Sequence, residues 1–212
     1  MNRLNDIVLW NCVDSSYSFR LNACCSGAIV GDFMYLVGGY NGQKYANNVS
    51  VYDIKKNQLK TIYNPLPGRK YHSITEMNGI IYIFGGIGSD SHTILGDFVT
   101  LDTNSSDASM QKRNSQNTPC PRYGHSLVSA NNSQLLVFGG IDHNKKFLND
   151  FYICASFSNF FYNWKKIDNP NTPSARAFHS SVVMKGRYMI IYGGIFEKKV
   201  LNDVFIFDTV NK

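Results

Sequence analysis

Glutamate is nearly missing from this chain of 212 residues: Glu76 and Glu197 are its only two. A site needing paired carboxylates for acid and base work would have to draw on aspartates, and most of those fall at repeat-equivalent turn positions (Asp97, Asp150, Asp203; Asp53, Asp102, Asp208). No Gly-x-x-x-x-Gly-Lys-Ser/Thr phosphate loop and no Gly-x-Ser-x-Gly nucleophile turn occurs. Catalysis and a bound cofactor are therefore not expected from these residues. The five cysteines (Cys12, Cys24, Cys25, Cys120, Cys154) form an odd set without a C-x-x-C pair, for which reduced thiols in the cytosol are the simplest reading. No apolar run reaches 18 residues, so no membrane-spanning helix is expected. The opening MNRLNDIVLWN is too polar, and its apolar part too short, for a secretory signal.

The shortage of glutamate also sets the charge. Lys and Arg total 21 against 15 Asp and Glu, giving +6 and a pI near 9.0. Such a balance permits an anionic partner, but the lysines are scattered as pairs and form no single basic tract, so nucleic acid is not expected.

What the chain does have is a short apolar run ending in two glycines, four times over: MYLVGG, IYIFGG, LLVFGG and MIIYGG. The first glycines fall at 38, 85, 139 and 193, at intervals of 47, 54 and 54 residues, the sign of a repeated supersecondary unit. Each run is rich in β-branched and aromatic residues and too short for a helix, so it reads as a buried strand. The doublets Gly38-Gly39, Gly85-Gly86, Gly139-Gly140 and Gly193-Gly194 are poor strand formers, and are expected to serve backbone angles or close approaches that a Cβ would forbid.

A second landmark keeps step. Arg69-Lys-Tyr-His72-Ser, Arg122-Tyr-Gly-His125-Ser and Arg176-Ala-Phe-His179-Ser precede the last three doublets, and Arg20-Leu-Asn-Ala23-Cys24 stands before the first; arginine to first glycine spans 18, 16, 17 and 17 residues. Another strand is expected between the two landmarks, turning back through Asn78-Gly79 or Lys185-Gly186. After each doublet come a polar loop, a third alternating strand (48–53, 96–102, 149–153, 202–208) and a fourth carrying Leu59 or Trp164, with Trp10 in an equivalent strand ahead of the first unit. The polar stretch 103–118 offers only Met110 at the expected place and reads as a long, disordered excursion. Proline marks each restart, at Pro67, Pro119, Pro121 and Pro173.

Arg-x-x-His-Ser, apolar run, Gly-Gly, polar loop, Asn-Asp-aromatic strand and Trp strand together resemble the kelch repeat, from Trp10 to Asp208. The finer pattern is closer to kelch proteins of the Rab-effector and kelch-phosphatase kind than to BTB-linked adaptors. The resemblance implies an all-β fold, a kelch β-propeller whose recognisable blades, 18–63, 67–111, 120–168 and 174–208, each have four antiparallel strands. Only three fourth strands lie between four first, second and third strands. Either the N-terminal strand 6–13 completes the last blade, or residues 1–212 are a portion of a larger, six-bladed propeller whose missing blades follow; the second is preferred.

The histidines His72, His125 and His179 lie in successive blades, too far apart to share one metal ion, and are expected to hydrogen-bond at the start of the inner strand. Arg69, Arg122 and Arg176 can tie neighbouring blades through backbone carbonyls, or line the mouth of the ring. The loops after the doublets carry Lys44, His92, Lys145, Lys146, Lys198 and Lys199, and equivalent loops of a propeller share one face. With Tyr40, Tyr71, Tyr123, Phe178 and Phe196 as aromatic anchors, they are expected to form a basic rim for an acidic or phosphorylated protein segment. The structural set is completed by the eight glycines, Trp10 and Trp164. The first reading is a non-catalytic protein-interaction module in the cytoplasm. Its alternatives are the N-terminal regulatory part of a kelch-linked serine/threonine phosphatase and a filament-binding kelch protein.

Overall fold

The computed structural model describes residues 22–63, 66–105, 109–155 and 161–211. The expected strand 6–13 with Trp10, and the beginning of blade one, lie outside the described residues. Within them there is no helix. Blade one runs Ser26–Val30, Phe33–Val37, Asn48–Asp53, Gln58–Tyr63, and blade two Ser73–Met77, Ile80–Phe84, Phe98–Asp102, Met110–Arg113. Blade three runs Ser126–Ala130, Gln134–Phe138, Phe151–Cys154, Tyr162–Ile167, and blade four Ser180–Met184, Tyr188–Tyr192, Val204–Asp208. Within each blade neighbouring strands pair antiparallel in chain order. The first strands of all four blades line one central cavity.

Two expectations about the strands change. The stretch 103–118 is not a structureless excursion: Met110–Arg113 is the outer strand of blade two, with Met110 opposite Leu101, and Ser115–Gln116 runs parallel to the outer strand of blade three. Met110 suffices because it is the one side chain of that strand that enters the core, while Gln111 and Lys112 stay exposed. Blade four has three described strands, in line with the three fourth strands counted for four blades. In blade one the register moves by two residues. Ala23 bridges Tyr40 as Tyr123 bridges Ile141 and Ala177 bridges Ile195, which puts Asn22 in the place of the arginine and Cys25 in that of the histidine.

The core lies between blades rather than within them, because alternate residues of a strand face opposite sides of its sheet. Ile81, Ile83, Val99 and Leu101 of blade two pack with Tyr35, Val37, Val49 and Val51 of blade one. The intervening Tyr82, Phe84 and Phe98 pack with Leu135, Val137, Tyr162 and Trp164 of blade three. Leu136, Phe138, Phe151 and Ile153 then meet Met189 and Ile191 of blade four. Each fully buried aliphatic or aromatic side chain in these layers contributes roughly 1.5–3 kcal/mol. The outer faces of the end blades are open among the described residues, with Ile29 and Met34 exposed on one and Val182, Tyr192 and Ile206 on the other.

The joint between blades explains the doublets. In blade three, a Cβ on Gly139 would lie 2.7 Å from the carbonyl oxygen of Arg176 in blade four, and the Gly140 amide donates to that same oxygen at 2.8 Å. Gly39 and Gly86 donate likewise to the carbonyls of Arg69 and Arg122, at 2.7 and 2.8 Å. The arginine side chain turns the other way, into its own blade. Arg122 Nη1 donates to the Gly139 carbonyl at 3.0 Å, and its two Nη atoms grip Asp150 at 2.6 and 2.9 Å. Arg69 with Asp97 and Arg176 with Asp203 repeat the arrangement. Blade one carries Asn22 and Asn48 at the two positions, losing both charges together. The expectation that the guanidinium ties neighbouring blades is thus corrected: the main chain does so, and the side chain braces the doublet.

Two of the histidines pack edge-on against a ring of the preceding blade, and one of these also hydrogen-bonds. His125 stands edge-on to Phe84 of the preceding blade at 5.2 Å and His179 to Phe138 at 5.4 Å. His179 Nε2 meets Ser126 Oγ at 2.9 Å, while the rings of His72 and His125 lie against the backbone of Val37 and Phe84. Burial, reinforced by the adjacent arginine, pushes His72 down to about 3, His179 to about 4 and His125 well below its ordinary value.

Two outcomes follow from this joint. Gly139→Ala adds a clash with a carbonyl to a left-handed φ of 66°, whereas Gly193, with a φ of 65°, has only the Leu201 carbonyl within 4 Å, at 3.1 Å. Urea denaturation should show a loss of roughly 2–5 kcal/mol for Gly139→Ala and about 1–2 kcal/mol for Gly193→Ala; equal losses would contradict the account. The histidines are neutral when folded and gain a proton on unfolding below about pH 6.5, so stability is full above that value and falls with pH toward about 4. Each contributes a loss of up to about 1.4 kcal/mol per pH unit in that window, and a urea midpoint unchanged between pH 7 and 5 would refute their burial as neutral groups.

Candidate functional site

At one end of each blade the loop after the doublet folds back on the segment ahead of the inner strand. The bridges are Ala23 to Tyr40 to Tyr45, Lys70 to Ile87 to Ile94, Tyr123 to Ile141 to Phe147, and Ala177 to Ile195 to Val200. The post-glycine loops and the inter-blade turns therefore open on the same face, as expected. Asx side chains brace three of these loops: Asn41 accepts from the amides of Gln43 and Lys44, Asp90 from those of His92 and Thr93, and Asp142 from those of Asn144 and Lys146. The Thr93 hydroxyl and the two amides hold Asp90 down to about 2. Asp90 and Asp142, with Glu197, interrupt the positive charge of the rim.

The centre of this face is a backbone ladder running from blade to blade. Tyr71 N donates to Cys24 O at 3.2 Å, Gly124 N to Tyr71 O at 2.9 Å, and Phe178 N to Gly124 O at 2.7 Å. All four residues have φ between 57° and 64°. For tyrosine and phenylalanine that backbone is unusual and costs of order 1–3 kcal/mol, held in place by the ladder. It carries the rings of Tyr71 and Phe178, which with Tyr123 form a triangle with centroids 5.2 to 6.4 Å apart, and Phe178 keeps 44% of its surface exposed. Gly124 leaves room for Phe178, whose ring would lie 3.1 Å from a Cβ there.

Beside the triangle sits a cation that the sequence reading passed over. Lys70 Nζ lies 5.0 Å from the centroids of Tyr40 and Tyr45 and 5.4 Å from that of Tyr71, linking the loop of blade one to blade two through its charge on three π faces. The Tyr45 hydroxyl, itself 2.8 Å from Ser91 Oγ, raises the Lys70 pKa. The aromatic directly after Arg69-Lys70 was visible in sequence, but the cage joins positions 40, 45, 70 and 71, which only the bridge pattern brings together.

The rim lysines Lys44, Lys145, Lys146, Lys198 and Lys199 are all exposed, as is His92. Phe196 packs against Phe147 of blade three at 5.4 Å, so it braces neighbouring loops while remaining partly exposed. Arg69, Arg122 and Arg176 leave the set of surface contacts: Arg122 and Arg176 are 0% exposed and Arg69 3%, each with its guanidinium spent on an aspartate. Trp164 is buried between blades two and three. Among the described residues no group of three His, Cys, Asp or Glu could hold a metal ion, Cys24, Cys25, Cys120 and Cys154 are free, and no helix is long and apolar enough to cross a membrane.

A family model described as the KLHDC2/KLHL20/DRC7 Kelch-repeats domain matches residues 71–212, and a Kelch motif model matches residues 22–58. Adagio-like protein 1 of Oryza sativa subsp. japonica is 27% identical over 193 residues, 86% of this chain and 30% of that protein. An F-box/kelch-repeat protein of Arabidopsis thaliana is 32% identical over 152 residues, 68% of this chain and 30% of that one. A probable serine/threonine-protein kinase of Dictyostelium discoideum is 28% identical over 182 residues, 80% of this chain and 13% of the kinase. The chain spans less than a third of the length of each of these relatives. Matched over most of its length and built of the sheets that such repeats form, it belongs to the kelch-repeat family of β-propellers.

Proposed function

We propose that residues 1–212 are a non-catalytic interaction module that holds a protein segment on the loop face. Kelch-repeat domains generally mediate protein–protein interaction, which supports the coarse reading. The observation that carries the finer one is the triangle of Tyr71, Tyr123 and Phe178 at the centre of that face, two of its rings held in strained backbone at Tyr71 and Phe178, where rings are kept partly exposed instead of being buried. A rigid aromatic anchor with two rotatable bonds loses little entropy on binding, which suits it to take an apolar side chain of a partner. The lysines of the surrounding loops would then meet carboxylates or phosphates on the flanking partner residues, with Lys145, Lys146, Lys198 and Lys199 on two adjacent blades nearest to forming a continuous patch. No specific observation favours the phosphatase-linked or filament-binding alternative.

The probe is an array of acidic and phosphorylated peptides that carry one aromatic or aliphatic anchor. Phe178→Asn keeps a residue tolerant of positive φ while removing the ring, and should weaken the best peptides roughly 10- to 100-fold with little change in Tm. Reversing Lys145, Lys146, Lys198 and Lys199 to Glu should weaken them further and flatten the salt dependence of binding. Affinity indifferent to both changes would remove this face as the binding surface.

A further inference from the structure

The chain contains two Asn-Gly dipeptides, Asn41-Gly42 and Asn78-Gly79, and both asparagines are exposed. A glycine after asparagine has no Cβ to screen its main-chain nitrogen from the side-chain amide. That nitrogen can attack Cγ. The fold treats the two sites differently.

At Asn78 both reacting groups are tied. The Gly79 amide, which would be the nucleophile, donates to Glu76 Oε1 at 2.8 Å. Asn78 Nδ2, which would leave as ammonia, donates to the Asn132 carbonyl in the turn of blade three at 2.9 Å.

At Asn41 the hydrogen bonds fall on the remaining atom. Asn41 Oδ1 accepts from the amides of Gln43 and Lys44 at 3.0 and 2.8 Å, whereas Asn41 Nδ2 and the Gly42 amide bond to none of the described residues. Two main-chain N–H groups on the carbonyl oxygen draw electrons from Cγ and stabilise the negative charge that this oxygen gains when Cγ is attacked. One site is restrained and the other primed.

The loops of blades two and three show how a carboxylate is received in this place. Asp142, like Asn41 the second residue past its doublet, accepts the amides of Asn144 and Lys146 at 2.8 and 2.9 Å, and Asp90 those of His92 and Thr93 at 3.0 and 2.8 Å. An ionised acceptor makes such bonds stronger than a neutral one. Hydrolysis of the Asn41 amide would bring the loop of blade one into line with these two.

We propose that Asn41 is a site of spontaneous deamidation assisted by the fold. The Gly42 nitrogen gives up its proton to solvent and forms a bond to Asn41 Cγ; the Cγ–Nδ2 bond breaks and ammonia leaves. Water then opens the cyclic imide, so the net change is one water consumed and one ammonia released, with no oxidant or cofactor. Opening at Cγ gives aspartate, which keeps both loop hydrogen bonds on an ionised oxygen; opening at the main-chain carbonyl gives isoaspartate, which lengthens the loop by one carbon. Either product adds a negative charge next to Tyr40, one wall of the Lys70 cage. The charge of the loop face thereby changes irreversibly with the age of the molecule.

The test incubates the full chain at mildly alkaline pH, folded and in urea, and follows the mass gain of deamidation at each site by peptide mapping. Folded, Asn78 should convert roughly 10-fold more slowly than in urea, the worth of one or two hydrogen bonds. Asn41 should convert no more slowly than in urea, and so roughly 10-fold faster than Asn78 in the folded chain. Glu76→Ala, which frees the Gly79 amide, should speed conversion at position 78 several-fold and leave position 41 unchanged. Asn41→Asp should not lower Tm. Folding that slows Asn41 as much as Asn78, or an Asn78 that converts as fast as Asn41 in the folded chain, would overturn the proposal. A lowered Tm in Asn41→Asp would also overturn it, because the loop would then reject the carboxylate.

Discussion

Every joint between blades turns on a single carbonyl oxygen. The first glycine of a doublet must lack a Cβ because the arginine carbonyl of the next blade lies where that atom would be, and the second glycine donates its amide to the same oxygen. The arginine side chain then runs back to its own doublet and is closed by an aspartate. A relay results, in which the main chain of one residue type is gripped by the blade before it while its side chain secures the contact offered to the blade after it. Burying a guanidinium is costly unless it is fully paired, and here the doublet carbonyl and a bidentate carboxylate meet that need. Blade one, with asparagine at both positions, omits the charges as a pair.

The loop face follows from that joint. Since the arginine position is fixed against the doublet, the two residues after it are carried to the same end of each blade, and the ladder through Cys24, Tyr71, Gly124 and Phe178 sets the rings of Tyr71 and Phe178 around the axis. The strained backbone there is tolerable because its amides and carbonyls are satisfied by neighbouring blades. The aromatic anchors, the caged Lys70 and the rim lysines thus depend on the packing of the propeller more than on any local motif.

Much of this was legible in the residues. The spacing of the doublets, the alternation of strands such as Phe98–Asp102 and the Asn78-Gly79 turn specify sheets and their order, because period-two burial and glycine turns are local physics. Trp164 was recognisable as core by size and place. The outer strand at Met110–Arg113 was not, since one apolar residue in a polar stretch carries almost no periodic signal, and its pairing depends on Val99 and Leu101 being already in position. Arg69, Arg122 and Arg176 could equally have pointed to solvent, and only the aspartates 27 or 28 residues later decide that they do not.

By itself the sequence determined the repeat, the strand order and the family, because these rest on which residue types recur at which intervals. Tertiary structure alone decided that the arginine main chain rather than its side chain joins the blades, that His125 and His179 stand edge-on to rings of the preceding blade, and that Lys70 is enclosed by Tyr40, Tyr45 and Tyr71. Those outcomes depend on distances between residues far apart in the chain, and no local pattern of residue types encodes a distance.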